Sequence, residues 1–415
     1  MSSNQDFQEV GLKQWADRLQ KELKSPLKFE DLQWQVSEYF NLDPLYDASI
    51  FEKENLDYLK AFHLRWAQKR ESEKPEILAF ADPVFQNDPS KIKEAESYNF
   101  QSWYSENGNS NQNALSVSAR NFGKITIGSK SKSEYDPLMD GFATGQWINI
   151  EKEKVKINAI HIHAADIHHA GGSAVQELAL ALLCAEEYRK ADVENKIWAN
   201  QAVLHLGVGP LFWLELAKIR AMRLVFMSFC DINALEIKTG LIRTETSKLY
   251  WSKSDTELNL LRHSSEVLSA ILGGADQVLV FPHTFEKNKA LDSTRLAINI
   301  PLLALEESQL HSDFDPASGS YMLELLTHKL AKAAWELFSK WNEVGFEKLI
   351  KTNQLQEEIL KSANELKIRF SEGKVQMVGV NAFKSPMAKT SPPFPFQKPI
   401  ENPEFQPLVP VFLDA

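Results

Sequence analysis

Short apolar runs and long helical stretches alternate from residue 76 onward, and this alternation constrains the fold more than any other feature of the chain. Seven runs have the length and composition of strands: ILAFA (77–81), ALSVSA (114–119), KITIGS (124–129), AIHIHA (159–164), AVLHLGV (202–208), ALEIKT (234–239) and QVLVFP (277–282). Between the later runs lie SAVQELALALLCAEEYRKA (173–191), LFWLELAKIRAMRLVFMSF (211–229) and TELNLLRHSSEVLSAILGG (256–274), all long enough for helices. The last of these ends in a Gly pair, a C-terminal stop. Strands joined by helices of this length pair in parallel, because a crossover and not a hairpin connects them. So many units in one chain suit a closed cylinder. Glycine is scarce, 17 of 415, and no G-x-G-x-x-G occurs, which argues against an open dinucleotide-binding sheet. The expected class is α/β: a TIM-type (β/α)8 barrel over residues 76–383 with trailing helices.

The flanks read differently. In residues 1–75, Phe7, Leu12, Trp15, Leu19 and Leu23 fall at helical spacing, and a second helical stretch runs from about Phe51 to Glu71. The segment between them, residues 29–49, is aromatic-rich and irregular. Phe7, Trp15, Trp34, Phe40 and Tyr46 therefore mark an arm that must lie on another surface, either this chain's body or a partner's. After the barrel come a long helix ending at Gly345, another over about 346–370, and VQMVGV (375–380), which has the pattern of a late strand. The final 30 residues hold 8 of the 18 prolines, so residues 384–415 are expected to be an extended, Pro-rich tail.

Charge and composition remove several classes of function. Lys+Arg number 46 against 56 Asp+Glu, a net charge of −10, the wrong sign for nucleic acid or an anionic membrane. No apolar run approaches the roughly 18 residues of a membrane span. The start, MSSNQDFQEV, has neither the basic nor the apolar part of a secretory signal. Cys184 and Cys230 sit in apolar helical stretches and read as buried free thiols. A cytoplasmic location is expected.

Four histidines, His161, His163, His168 and His169, fall within nine positions. His161 and His163 alternate and would leave a strand on one face, as in metal-dependent barrel hydrolases. Such a site also needs a later His and an acidic ligand. His205 and His283 are available, but no carboxylate has its own context, so no metal is expected. Asp166-Ile-His168-His169-Ala-Gly171 matches D-x-H-x-x-G, in which the His ligates cobalt and the Asp sets its tautomer. Here it runs into a barrel helix in mid-chain, which is the wrong context. Gly207-Val-Gly209-Pro-Leu-Phe212 lacks the third glycine of a dinucleotide loop. Glu306-Glu307 reads as a solvated or capping pair. Arg220 and Arg223 are expected to be salt-bridged, with an anionic substrate as the other possibility.

Several stretches, in one order over roughly residues 30–385, resemble the barrel half of methylmalonyl-CoA mutases. AGGSAVQELALALLCAEEYRK (170–190) is similar to the family's AG-x-x-AVQELA-x-x-LA-x-x-x-EYxR helix, and AKIRAMRLVF (217–226) to AKxRAxRxxW. LGGADQVLV (272–280) resembles LGG-x-x-SVTV. The stretch LEESQL…DPASGSYMLELLTHKLAKAAWELF (305–338) resembles EESHL…DPAGGSYYVExLTxxLAxxAWxxF. MVGVNAF (377–383) is similar to IVGVNxF, and DPLYDAS (43–49) contains a likeness to PLYT. The resemblance implies a barrel that holds a coenzyme A ester in related enzymes, with an arm that wraps a second subunit.

The departures from the family pattern point to what this chain lacks. Catalytic members read S-G-Y-H-x-x-E-A-G before the AG helix, and that His donates to the thioester carbonyl. Aligned on Ala170-Gly171, the His position is Asp166 and the Glu position is His169. The family's H-x-Q-T-S-G is here Arg243-Thr244-Glu245-Thr246-Ser247-Lys248. No counterpart of TIQND…PSMR lies between Ser102 and Asn158. After Phe383, 415 − 383 leaves 32 residues, against the ~100–150 of a cobalamin domain. The resemblance thus implies a short, non-catalytic small subunit with no cofactor of its own and no catalytic residue. Its degenerate pocket positions are Asp166, His169, Arg243, Glu245, Thr246 and Ser247. Adenosylcobalamin would sit in a large catalytic subunit, the partner in a heterodimer. Two alternatives are an active acyl-CoA mutase half served by a separate B12 chain, and a metal-dependent hydrolase using His161 and His163.

Overall fold

The computed structural model describes residues 11–23, 28–62, 75–80, 103–105, 128–129, 160–191, 199, 202–235, 241–284, 289–311 and 315–384, less positions 37, 60 and 254. A small antiparallel pair, β1 (Trp34–Gln35) and β2 (Asn41–Leu42), belongs to the arm. Among the described residues the main sheet holds seven strands: β3 (Glu76–Phe80), β4 (Trp103–Ser105), β5 (Gly128–Ser129), β6 (Ile160–Ile162), β7 (Ala202–Val208), β8 (Leu241–Thr246) and β9 (Gln277–Val280). All its pairings are parallel, in the order β5-β4-β3-β9-β8-β7-β6. The first strand of the sheet lies beside the last, from Glu76↔Gln277 to Ala79↔Val280. Among the described residues no pair joins β5 to β6, so the expected closed eight-stranded barrel is seen as a seven-stranded parallel sheet open at that point. Residues 130–159, between those two strands, lie outside the described residues.

The helices are α1 (Leu12–Glu22), α2 (Ser49–Lys53), α3 (Ala165–His169), α4 (Ala174–Ala191), α5 (Phe212–Ile232), α6 (Thr256–Leu272), α7 (Ala290–Leu302), α8 (Tyr321–Val344), α9 (Phe346–Lys351) and α10 (Gln354–Ser371). Every residue of β7 is buried, as expected for a parallel strand covered on both faces. α4 and α5 pack against α8 and against each other, and α5 also packs on α6. Their sequences are apolar nearly all round because they are enclosed, not amphipathic surface helices. Both cysteines are buried and neither forms a disulfide. Among the described residues no helix is long and apolar enough to cross a membrane.

Three sequence expectations are corrected. The strand expected at 234–239 is LIRTET, 241–246. Ala234 has φ 51° and the Leu235 amide still donates to Cys230 O, so these two residues close α5, and residues 236–239 lie outside the described residues. Residues 375–380 form turns and not a strand. The Asn381 side chain accepts from Met377 N and donates to Val375 O and Phe370 O, and Gly379 sits at φ 81°. The helix expected over 346–370 breaks at Asn353, φ 57°, giving α9 and α10. β4 had no counterpart among the expected strands. The run ALSVSA, Phe7, and the tail from residue 385 lie outside the described residues.

The arm lies on this chain's own body. Val36, Leu42, Ile50, Leu56, Leu59 and Phe62 belong to the same core as the sheet, and Trp34, Phe40 and Tyr46 pack on it partly buried. Lys329 Nζ donates to Asn41 O at 3.1 Å, and Tyr58 Oη meets His328 Nδ1 at 2.9 Å. α1, which carries Trp15, contributes no buried residue.

Candidate functional site

The chain's chemistry-bearing side chains converge at the C-terminal ends of β6, β7 and β8, under the start of α4 and α5. Ligands of α/β proteins bind at this end of the strands. Here the polar groups are largely used on one another. His169 Nε2 meets Glu245 Oε1 at 2.6 Å, both buried. The Lys248 amide donates to His169 Nδ1 at 3.4 Å, which leaves the proton on Nε2 and makes the imidazole the donor to Glu245. His168 Nε2 meets Ser247 Oγ at 2.8 Å, and Ser247 Oγ accepts from Tyr250 N at 3.3 Å. The Ser247 amide donates to Glu266 Oε2 at 3.2 Å, and the same oxygen meets His263 Nδ1 at 2.9 Å.

Behind this network Lys218 Nζ lies 2.7 Å from Glu177 Oε2 and 2.5 Å from Glu215 Oε2, and donates to Gly207 O at 2.6 Å. Glu177 closes the loop by accepting from Gly207 N at 2.7 Å. Two carboxylates thus share one buried ammonium, and burial pushes Glu177 up to about 7. Burial, then Lys218 and His169, hold His168 well below the ordinary imidazole range, so it is neutral near pH 7. Gly207 is required by contact: a Cβ there would come within 2.5 Å of the His168 ring.

The expected site residues fall into three groups. His169, Glu245 and Ser247 are brought together, with His168. Arg243 and Thr246 lie on β8 but bond sideways to β9: Arg243 Nε donates to Gln277 Oε1 at 2.7 Å, and Thr246 Oγ1 accepts from Phe281 N at 2.9 Å. Asp166 is exposed on α3. The His163 ring stacks on His205 at 4.0 Å, and His283 Nδ1 meets Ser293 Oγ at 3.0 Å. Among the described residues no cluster of three or more possible ligands would hold a metal ion. His161 is placed on β6 by its backbone.

His168 does not suit cobalt. Its Nε2 is taken by Ser247, its ring is wedged against Gly207, and the cavity it borders, ≈ 150 Å³, admits no corrin macrocycle.

A second buried charge cluster lies on the far side of α5. Arg220 Nη2 reaches both oxygens of Glu324 at 3.1 Å and Asp315 Oδ2 at 3.0 Å, while Nη1 donates to Thr327 Oγ1 at 2.9 Å. Glu324 also accepts from Gly319 N at 2.9 Å. Arg223 Nη2 bonds Asp276 Oδ2 at 2.6 Å, and that oxygen accepts from Ile242 N at 2.8 Å. Both arginines are therefore structural braces.

Sequence reasoning missed Glu177, Lys218, Glu215 and Glu266. For Glu177, Glu215 and Lys218 a signal was present: charges inside the largely apolar helices that contain LALALL and LAKIRAM have little polar face to occupy, so each needs a buried partner.

Residues 136–405 match the family model described as methylmalonyl-CoA mutase. This chain belongs to the methylmalonyl-CoA mutase family. It is 28% identical over 236 residues to the methylmalonyl-CoA mutase small subunit of Porphyromonas gingivalis, covering 51% of this chain and 37% of that one. It is 33% identical over 193 residues to the small subunit of Streptomyces virginiae, covering 44% and 31%. Human mitochondrial methylmalonyl-CoA mutase is 28% identical over 247 residues, 56% of this chain and 32% of the relative. The match thus spans about a third of the length of these mutases.

Proposed function

We propose that this chain is the non-catalytic small subunit of a heterodimeric, adenosylcobalamin-dependent methylmalonyl-CoA mutase. Its large subunit would hold the cofactor and carry out the isomerisation of methylmalonyl-CoA and succinyl-CoA. The observation that carries this reading is the 2.6 Å contact between His169 and Glu245. Both occupy positions that the resemblance assigns to substrate handling, and here they satisfy each other in the interior. Asp166, at the position of the family's carbonyl-directed histidine, is a carboxylate, which when ionised accepts but cannot donate. The small-subunit names of two relatives support the partner. The first-to-last pairing of β3 with β9 supports the (β/α)8 barrel. With Trp34, Phe40 and Tyr46 packed on the core, the arm's exposed Leu32 and Leu45 are left for the large subunit.

The test is co-expression with a large subunit that has an intact G-Y-H-x-x-E-A-G segment. A one-to-one complex by light scattering, with turnover that the chain alone does not show, is the expected result. Turnover by this chain with adenosylcobalamin alone, or no complex, overturns the proposal.

A further inference from the structure

The cavity beside His168 has features that the paired network does not explain. Its volume is ≈ 150 Å³, and it lies between the starts of α4 and α5, the 247–250 loop, the arm near Val36, and α10. Tyr250 is 8% exposed and lines it, yet its hydroxyl makes no hydrogen bond with a described residue. His168, 7% exposed, lines it too, and its Nδ1 has no hydrogen-bond partner among the described residues. Arg369 of α10 borders the same space, and its guanidinium forms no ion pair with a described residue. Polar groups that line one cavity and are not bonded to the fold are available to an occupant.

The chemistry of that occupant follows from the walls. Ser247 Oγ accepts from Tyr250 N and can give its own hydrogen to His168 Nε2, and in that tautomer the imidazole proton is on Nδ1. The cavity then offers three donors: a guanidinium, a phenol and an N–H. Glu215 also lines it but is held by Lys218, and Glu38 accepts from Ser362. Glu365 is exposed at the rim. Lys218 lines the cavity as well, held by Glu177 and Glu215, with Gln35, Ser173 and Ser362, and Leu211, Leu214, Leu249, Leu330 and Leu366 form its aliphatic part. We infer that this cavity is a binding site for a short aliphatic carboxylate, its head on Arg369, Tyr250 and His168 and its chain on the leucines. The arm near Val36 and α10 line the outer side, so the ligand would tie both to the sheet. The inference rests on the cavity alone and holds whether or not the chain assembles with a large subunit.

Calorimetric titration of the full chain with butyrate tests it, with butylamine and butanol as probes of matched size. Saturable binding of butyrate alone is expected. Arg369→Gln should weaken it about tenfold by removing a charge-assisted contact, and Tyr250→Phe about threefold while keeping the ring in place. Circular dichroism and thermal midpoints of the ligand-free variants separate loss of binding from loss of fold. If Arg369→Gln does not fold, Tyr250→Phe decides. No saturable butyrate binding, equal binding of butylamine or butanol, or undiminished affinity in a folded variant overturns the inference.

Discussion

Lys218 and Arg220 stand two positions apart on α5, so their side chains leave roughly opposite sides of the helix. On one side Arg220 is enclosed by Asp315, Glu324 and Thr327. These come from the segments most like the family's, and their bonds tie the 315–320 loop to α5 and α8. On the other side Lys218 lies behind the crevice where His168, His169, Glu245 and Ser247 meet. Those residues come from the two segments that depart most from the family pattern. Both clusters are buried and largely internally paired. Under the proposed function the difference is between a brace that holds the scaffold together and a crevice whose residues satisfy each other and not a substrate.

The strongest way to break this comparison is Arg220→Met. It leaves Asp315 and Glu324 without their guanidinium in the interior, and should cost about 3–5 kcal/mol in denaturant unfolding. A loss below about 1 kcal/mol would mean the brace is not one. Next comes the His169–Glu245 pair. Glu245→Ala should cost about 1–3 kcal/mol. A double-mutant cycle with His169→Ala should show coupling of about 0.5–3 kcal/mol. Additive losses would mean the two are neighbours without being a unit.

Glu177→Gln sharpens the comparison through pH. The Glu177 carboxyl is pushed up to about 7, above its ordinary value of 4.5, so the folded chain keeps a proton that the unfolded chain releases. Its contribution is fully present below the unfolded value and is lost as pH rises through 7. Wild type should therefore lose stability relative to Glu177→Gln between about pH 4.5 and 7, then run parallel to it. Thermal midpoints across that range give the answer, and a constant offset would reject the assignment. The smallest effect is expected at exposed Asp166. Asp166→Ala should change stability by no more than ~0.5 kcal/mol. Turnover of the assembled enzyme should stay within about threefold, roughly 0.7 kcal/mol of barrier. A hundredfold loss in an intact complex would make this chain a catalyst.

β7 was legible to the residue, because AVLHLGV is an unbroken apolar run covered on both faces. β8 was not: LIRTET buries Arg243, Thr244, Glu245 and Thr246, and a strand that carries charge into the interior has no apolar signature. VQMVGV has such a signature, but the Asn381 side chain claims the backbone groups that a sheet would need. At the site, the residues that mark the family's chemistry could be placed by resemblance alone. That His169 would find Glu245, 76 positions away, depended on the β6–β7–β8 register, and no local pattern encodes a contact across strands.

The pairing of β3 with β9 also bears on how the chain comes to be folded. Glu76 lies beside Gln277, so about 200 residues must be synthesised before that seam can form. At ~5–20 residues per second this is on the order of 10–40 s. The block from β6 through α6 needs only nearer contacts and can assemble first, while β3 waits with one edge unclaimed. A newborn chain therefore passes through an interval in which a strand edge is open to other chains.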